Sequence, residues 1–160
     1  MGIVVRAAED GDAQLIAELT RACWANKVAV TSSGHRETHV RVAEHLRAGG
    51  AFILEDDGVP IGSVRWLPVD TEDGVWEILR MGVLPTYRGT NLSQHLLEAC
   101  IHHALESSVD ELRLAVRADQ PKLIDFYSAF EFDLADELEY THVNPAEPAP
   151  RVMRRILHHR

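Results

Sequence analysis

Apolar positions recur along this chain with two different periods, and the switches between them mark its elements. Ile3 to Arg6 is a short apolar run closed by Glu9-Asp10-Gly11-Asp12, a turn rich in helix-capping side chains. Leu15, Ile16, Leu19 and Cys23 follow at helical spacing. The polar stretch from Thr31 to His35 separates them from a second helix over 37–47, closed by Gly49-Gly50. Ala51 to Glu55 and Ile61 to Val69 then read as strands joined by the hairpin signal Asp56-Asp57-Gly58. A turn over 70–74 leads into a third strand, Val75 to Val83. Leu92, Leu96, Cys100 and Ala104, broadened by Leu97, Ile101 and Leu105, predict a helix over 90–107. Leu112, Leu114 and Val116 alternate in a strand over 111–117. Pro121 opens a helix bearing Leu123, Ile124, Tyr127 and Phe130. The segments 133–143 and 151–157 close the chain as strands on either side of the Pro-rich stretch from Asn144 to Pro150.

The order is β-α-α-β-β-β-α-β-α-β-β. Consecutive antiparallel strands followed by a βαβ crossover predict an α/β fold with a mixed, mostly antiparallel sheet of about six or seven strands, flanked by about four helices. This is not a doubly wound dinucleotide fold. With no internal repeat and no long linker, residues 1–160 are expected to form a single domain.

Composition narrows the function. Hydrophobic residues make up 46% of the 160 and charged residues 26%, as in ordinary globular chains. The net charge of −9 argues against a nucleic-acid partner, since no basic face dominates and the basic C-terminus is short and apolar. No run is long enough to span a membrane, the N-terminus lacks a signal-peptide pattern, and Gly2 lacks the myristoylation context. Cys23 and Cys100 stand far apart in apolar helical contexts, which suits buried thiols in a reducing cytoplasm. No metal site is expected. His102-His103 and His158-His159 are sequence neighbours, and neighbours do not share a helix or strand face.

The segment from Met81 to Ser93 carries the chemistry. A strand ends at Val83, passes Pro85 and Tyr87-Arg88-Gly89, and opens a helix. Backbone N–H groups at such a junction lack intrahelical partners, and the helix dipole adds to them, giving a site for phosphate or pyrophosphate. Arg88 at this junction reads as a phosphate ligand or as a surface charge.

The element order and the run RMGVLPTYRGTNLS resemble the GNAT superfamily of acyl-CoA N-acyltransferases over nearly the whole chain. The family signature Q/R-x-x-G-x-G/A falls on Arg88, Gly89, Thr90, Asn91, Leu92 and Ser93. Asn91 and Ser93 replace the usual small residues. Asn is the non-glycine residue best suited to positive φ. The resemblance implies acetyl-CoA as cosubstrate, with its pyrophosphate on these amides and its pantetheine arm along Met81, Gly82 and Val83. An amide of that strand would face the thioester carbonyl. It also implies direct acetyl transfer to a primary amine of a small molecule or peptide in a ternary complex, without metal. A homodimer through the C-terminal strand and Pro-rich loop would follow the habit of many members. The competing reading is a GNAT-fold module that binds acyl-CoA and acts through a protein partner.

Glu77 is the candidate base. It stands three residues before Arg80 and an even number of positions before Val83, so Glu77 and Val83 are expected on one strand face. The alternative is a strand glutamate paired with Arg65 or Arg80. Gln120 to Phe132 is similar to the family segment N-x-x-A-x-x-x-Y-x-x-x-G-F. Tyr127 falls on its tyrosine as candidate acid toward the CoA sulfur, and Gln120 falls on the cofactor-binding Asn. Leu123 and Glu131 replace the usual Ala and Gly. The alternative for Tyr127 is an amphipathic residue at the core edge. The wall opposite the cofactor is expected between Trp24 and Arg36, where Trp24, Lys27, His35 and Arg36 are available. Phe52, Trp66 and Trp76 read as packing residues, with one of them a candidate to line the acceptor pocket.

Overall fold

A computed structural model of the chain describes residues 2–25, 37–141 and 148–157. The elements run β1 (Ile3–Ala7), α1 (Ala13–Trp24), α2 (His39–Ala48), β2 (Gly50–Asp56), β3 (Val59–Pro68), β4 (Val75–Val83), α3 (Ser93–Glu106), β5 (Glu111–Val116), α4 (Lys122–Ser128), β6 (Asp133–Leu134) and β7 (Arg151–Ile156). The strands form one seven-stranded sheet in the order β1-β2-β3-β4-β5-β7-β6. Only β4 and β5 pair parallel. The predicted order and mixed sheet are both observed.

Local chemistry explains the joints. Asp57 and Gly58 both take positive φ, the pattern of a two-residue hairpin whose twist matches its strands. The Thr38 hydroxyl accepts the Arg41 N–H and caps α2. The helix ending near Ser128 closes in a Schellman arrangement. Glu131 takes φ +66°, the Phe132 N–H donates to the Tyr127 carbonyl at 3.2 Å, and the two rings meet edge to face.

Two predicted boundaries shift by three residues or more. α3 begins at Ser93 rather than at residue 90, because residues 88–92 form turns instead of helix. The strand expected over 133–143 shrinks to Asp133–Leu134. Beyond it the Ala135 N–H still reaches the Val152 carbonyl, but the Leu138 N–H turns back onto the Ala135 carbonyl.

The sheet buries both faces. α3 and α4 cover one, where Leu54, Ile78, Leu96, Leu97, Cys100, Leu112, Phe132 and Met153 form the main core. On the other, α1 and α2 pack Ile16, Ala17 and Val42 against Ala51 and Ile53 of β2. A smaller cluster of Leu67, Leu79, Tyr140 and Val152 continues the second face. Phe52, Trp66 and Trp76 lie on the α3 face as packing residues. The indoles of Trp66 and Trp76 stack at 3.8 Å, with the His103 ring tilted against both. His102 instead pairs with Glu106 one turn on. Among the described residues no helix is long and apolar enough to cross a membrane.

Candidate active site

β4 and β5 pair only from Val75–Glu111 to Glu77–Arg113 and then part company. From Leu79 to Val83, β4 bonds to β3 on one side and, among the described residues, pairs with no strand on the other. The fork so formed opens toward the loop after β4. Met81 is half-buried there, while Gly82 and Val83 are buried.

A β-bulge sits in the fork. Ser63 faces Gly82 and Arg65 faces Leu79, so Val64 opposes both Arg80 and Met81. Arg80 takes φ +57°, a strained conformation for a residue with a side chain. The extra residue reverses the alternation, which corrects the expected parity. Glu77 pairs with Leu67 on the α1/α2 face, whereas Val83 packs into the core beneath α3.

The bulge is held by a buried ion cluster. Glu37, just ahead of α2, takes Arg65 Nη2 and, at 3.1 Å, Arg80 Nε on the same carboxylate oxygen. Arg65 is fully buried and also reaches His45 Nδ1 at 3.1 Å and the Thr20 hydroxyl at 3.4 Å. Burial alone would raise the Glu37 carboxyl, but the two guanidiniums outweigh it and hold it below the ordinary carboxylate range. Burial pulls the Arg65 guanidinium down against the pull of Glu37. Arg65 and Arg80, the alternative partners for Glu77, are thus both paired with Glu37.

Glu77 is fully buried. One carboxylate oxygen accepts the Thr141 hydroxyl and the other the Thr141 N–H at 3.0 Å. The neighbouring Tyr140 hydroxyl donates to the Ile78 carbonyl at 2.9 Å, at the apex of the fork. Burial, then Glu77, and to a lesser degree Tyr127, push the Tyr140 hydroxyl above the ordinary phenol range. Tyr140 therefore lies within electrostatic reach of both residues.

Tyr127 lies on the opposite face of the sheet, beneath α3 and α4. Its ring packs against Phe126 and Phe132, and its side chain is buried in the main core. Burial, with a smaller push from Cys100, holds its hydroxyl well above the usual range, so it stays protonated at neutral pH. Burial likewise raises the Cys100 thiol.

Beyond the fork, the consecutive backbone N–H groups from Gly89 to Ser93 donate to no backbone carbonyl of the described residues. Gly89 takes φ +80° and Asn91 φ +59°, so Asn91 adopts the left-handed conformation in place of glycine. Alternating hand turns successive amides toward one point, a nest suited to phosphate oxygens. The Arg88 side chain is engaged elsewhere, donating from Nη2 to the Cys23 carbonyl at 2.6 Å. Gln120 is half-buried in the turn before α4, where its carbonyl accepts the Leu123 N–H. Lys27, His35, Arg36 and the pair His158-His159 lie outside the described residues. No cluster of potential metal ligands occurs among the described residues.

Sequence reasoning missed the Glu37 cluster and the grip of Thr141 on Glu77. One signal was available for the first: Arg65 interrupts the apolar run Ile61 to Leu67, where an unpaired charge is not tolerated.

A sheet forked between its fourth and fifth strands, with an amide nest at the mouth and a buried acid on one face, defines an acyl-CoA N-acyltransferase fold. Residues 14–132 match the model of the acetyltransferase (GNAT) family. The chain belongs to that family. It is 30% identical over 134 residues to mycothiol acetyltransferase of Streptomyces griseus, covering 82% of this chain and 43% of the relative. The chain therefore spans less than half the length of that protein. Among solved structures, the PaiA N-acetyltransferase of Thermoplasma acidophilum in complex with coenzyme A superposes with a TM-score of 0.78 at 16% identity, over 98% of this chain and 100% of that one. YncA of Salmonella typhimurium with its cofactor acetyl-CoA gives 0.76 at 17% identity, over 100% and 96%.

Proposed function

We propose that this chain moves acetyl from acetyl-CoA to a primary amine of a small molecule or peptide by direct transfer in a ternary complex. The observation that carries this reading is the fork after Glu77 with the unpaired amides of Gly89 to Ser93 at its mouth. The open edge of β4 over Met81, Gly82 and Val83 would pair with the amide-bearing pantetheine arm as an added strand would. The N–H groups of Gly89, Thr90, Asn91, Leu92 and Ser93 would take the pyrophosphate, with Gln120 beside the start of α4. Acetyl-CoA supplies the activated acyl group.

The remaining task is proton traffic. An aliphatic amine is largely protonated at neutral pH and must lose a proton before it attacks. Glu77, on the α1/α2 face, takes that proton, and the hydroxyl of Thr141 stands on its carboxylate as the route to it. Tyr127, protonated on the opposite face, supplies a proton to the departing thiolate. The fork lets the two groups act on one centre from opposite sides of the sheet.

The complete burial of Glu77 under Thr141 favours a second reading, an acyl-CoA-binding module that works through a protein partner. Release of the CoA thiol over a panel of amines separates the two. The panel includes amino acids, polyamines, peptide N-termini and a thiol-bearing amine, the last suggested by the name of the Streptomyces relatives. Amine-dependent thiol release is expected. CoA binding with no turnover on any amine would favour the module instead.

A further inference from the structure

We propose that Arg88 is a positioning residue that fastens the last turn of α1 to the cofactor loop, and that it does not ligate phosphate through its side chain. This inference rests on the acetyl-CoA reading above. Its first observation is the contact itself. Arg88 Nη2 donates to the Cys23 carbonyl at 2.6 Å, an ionised donor on a backbone acceptor. Cys23 lies in the last turn of α1, at the negative end of the helix dipole. A guanidinium there meets that partial charge with a full positive one.

The second observation concerns freedom of movement. Arg88 Nε is buried without a hydrogen-bond partner. The bond from Nη2 to Cys23 holds the guanidinium in this place. Swinging the side chain toward a phosphate would break the bond to Cys23. The third observation is a backbone contact on the same turn. A Cβ at Gly82 would fall 2.8 Å from Trp24 Cζ3 and 3.4 Å from Cys23 Cβ. The end of α1 is thus pressed onto the strand proposed for the pantetheine arm and tied to the loop proposed for the pyrophosphate.

The opposite end of the α1–α2 connection is also fastened. Arg21 donates to the Glu37 carbonyl, while Arg65 and Arg80 hold its carboxylate. Arg88 and the Glu37 cluster therefore anchor the two sides of the segment expected to face the acceptor. Occupation of the amide nest, by steadying residues 88–93, would steady the last turn of α1 through Arg88.

The test uses CoA as its probe, so no acceptor need be known. Hydrogen exchange of the whole chain is measured with and without CoA, alongside calorimetric titration, for wild type and Arg88→Met. CoA is expected to slow exchange in the last turn of α1 in wild type. In Arg88→Met that protection disappears, while the CoA Kd changes by less than about threefold, since the amides remain. A loss of tenfold or more in CoA affinity, on the order expected for a missing charged phosphate contact, would overturn the proposal. So would persistence of the protection in the variant. Should Arg88→Met fail to fold, the wild type alone decides: unchanged exchange at the end of α1 on CoA binding refutes the coupling. Wild-type protein that binds no CoA would instead remove the acetyl-CoA reading and this proposal with it.

Discussion

Replacing Glu131 with glycine should stabilise the protein. Glu131 holds φ +66° at the end of the helix that carries Tyr127, where its Cβ crowds the following carbonyl. That conformation costs a residue with a side chain about 1–2 kcal/mol. Two terms oppose the gain. Glycine adds freedom to the unfolded chain, which offsets about 0.5–1 kcal/mol. The Glu131–Arg155 ion pair at 3.2 Å is lost, but with the glutamate side chain 79% exposed it contributes little. Arg155 also keeps its bond to the Phe130 carbonyl. The net expectation is a gain of about 0.5–1 kcal/mol, or about 1–4 °C in Tm for a chain of this size. Urea and thermal unfolding of wild type, Glu131→Gly and Glu131→Ala at one pH measure it. Glu131→Ala loses the same ion pair and keeps the strained backbone, so the difference between the two variants isolates the backbone cost. If Glu131→Gly is no more stable than Glu131→Ala, the argument from the left-handed cap is wrong.

Three further outcomes follow from the site. Glu77→Gln keeps the shape beneath Thr141 and should lower kcat/KM for the amine on the order of 100-fold, with the acidic limb of its pH profile removed. An unchanged profile would take Glu77 out of the mechanism. Tyr127→Phe should slow acetyl transfer by a similar order while calorimetry finds CoA binding nearly intact; undiminished turnover would leave the residue a packing role alone. Glu37→Gln leaves two guanidiniums facing a neutral amide and should cost about 3–5 kcal/mol in chemical denaturation at pH 7. Because the folded carboxyl lies below its ordinary value of 4.5, wild type holds this advantage above that pH and loses it as the pH falls through the depressed value. The gap between the two proteins therefore narrows in acid, and a gap independent of pH would show that the ion pair is not its source.

Much of this architecture was legible because its determinants are local. The hairpin at Asp57-Gly58, the alternation of Leu112, Leu114 and Val116, and the stripe of Leu96, Cys100 and Ala104 each sit within a few residues of the structure they dictate. The left-handed turn at Asn91 followed from side-chain chemistry at one position. What sequence hid depends on distant partners. Nothing near Arg65 announces that Glu37 will meet it, and the bulge at Arg80 becomes visible only once β3 fixes the register. That single extra residue put Glu77 and Val83 on opposite faces, defeating a parity argument that would hold for any regular strand. Arg88 shows the opposite case: its neighbours point to an anion, while the carbonyl its side chain bonds belongs to Cys23, 65 residues earlier.

The stacked pair Trp66 and Trp76 gives the molecule an optical property. The two indoles lie 3.8 Å apart and nearly parallel, with the His103 ring against both, so they form one coupled aromatic cluster. Of the three tryptophans in the chain, Trp24 stands apart from this pair, its ring laid over Gly82 on the strand that flanks the fork. Trp24 is thus the one indole of the three that lies beside the strand proposed for the pantetheine arm. The chain carries a built-in fluorophore for following ligand entry in real time, without any label.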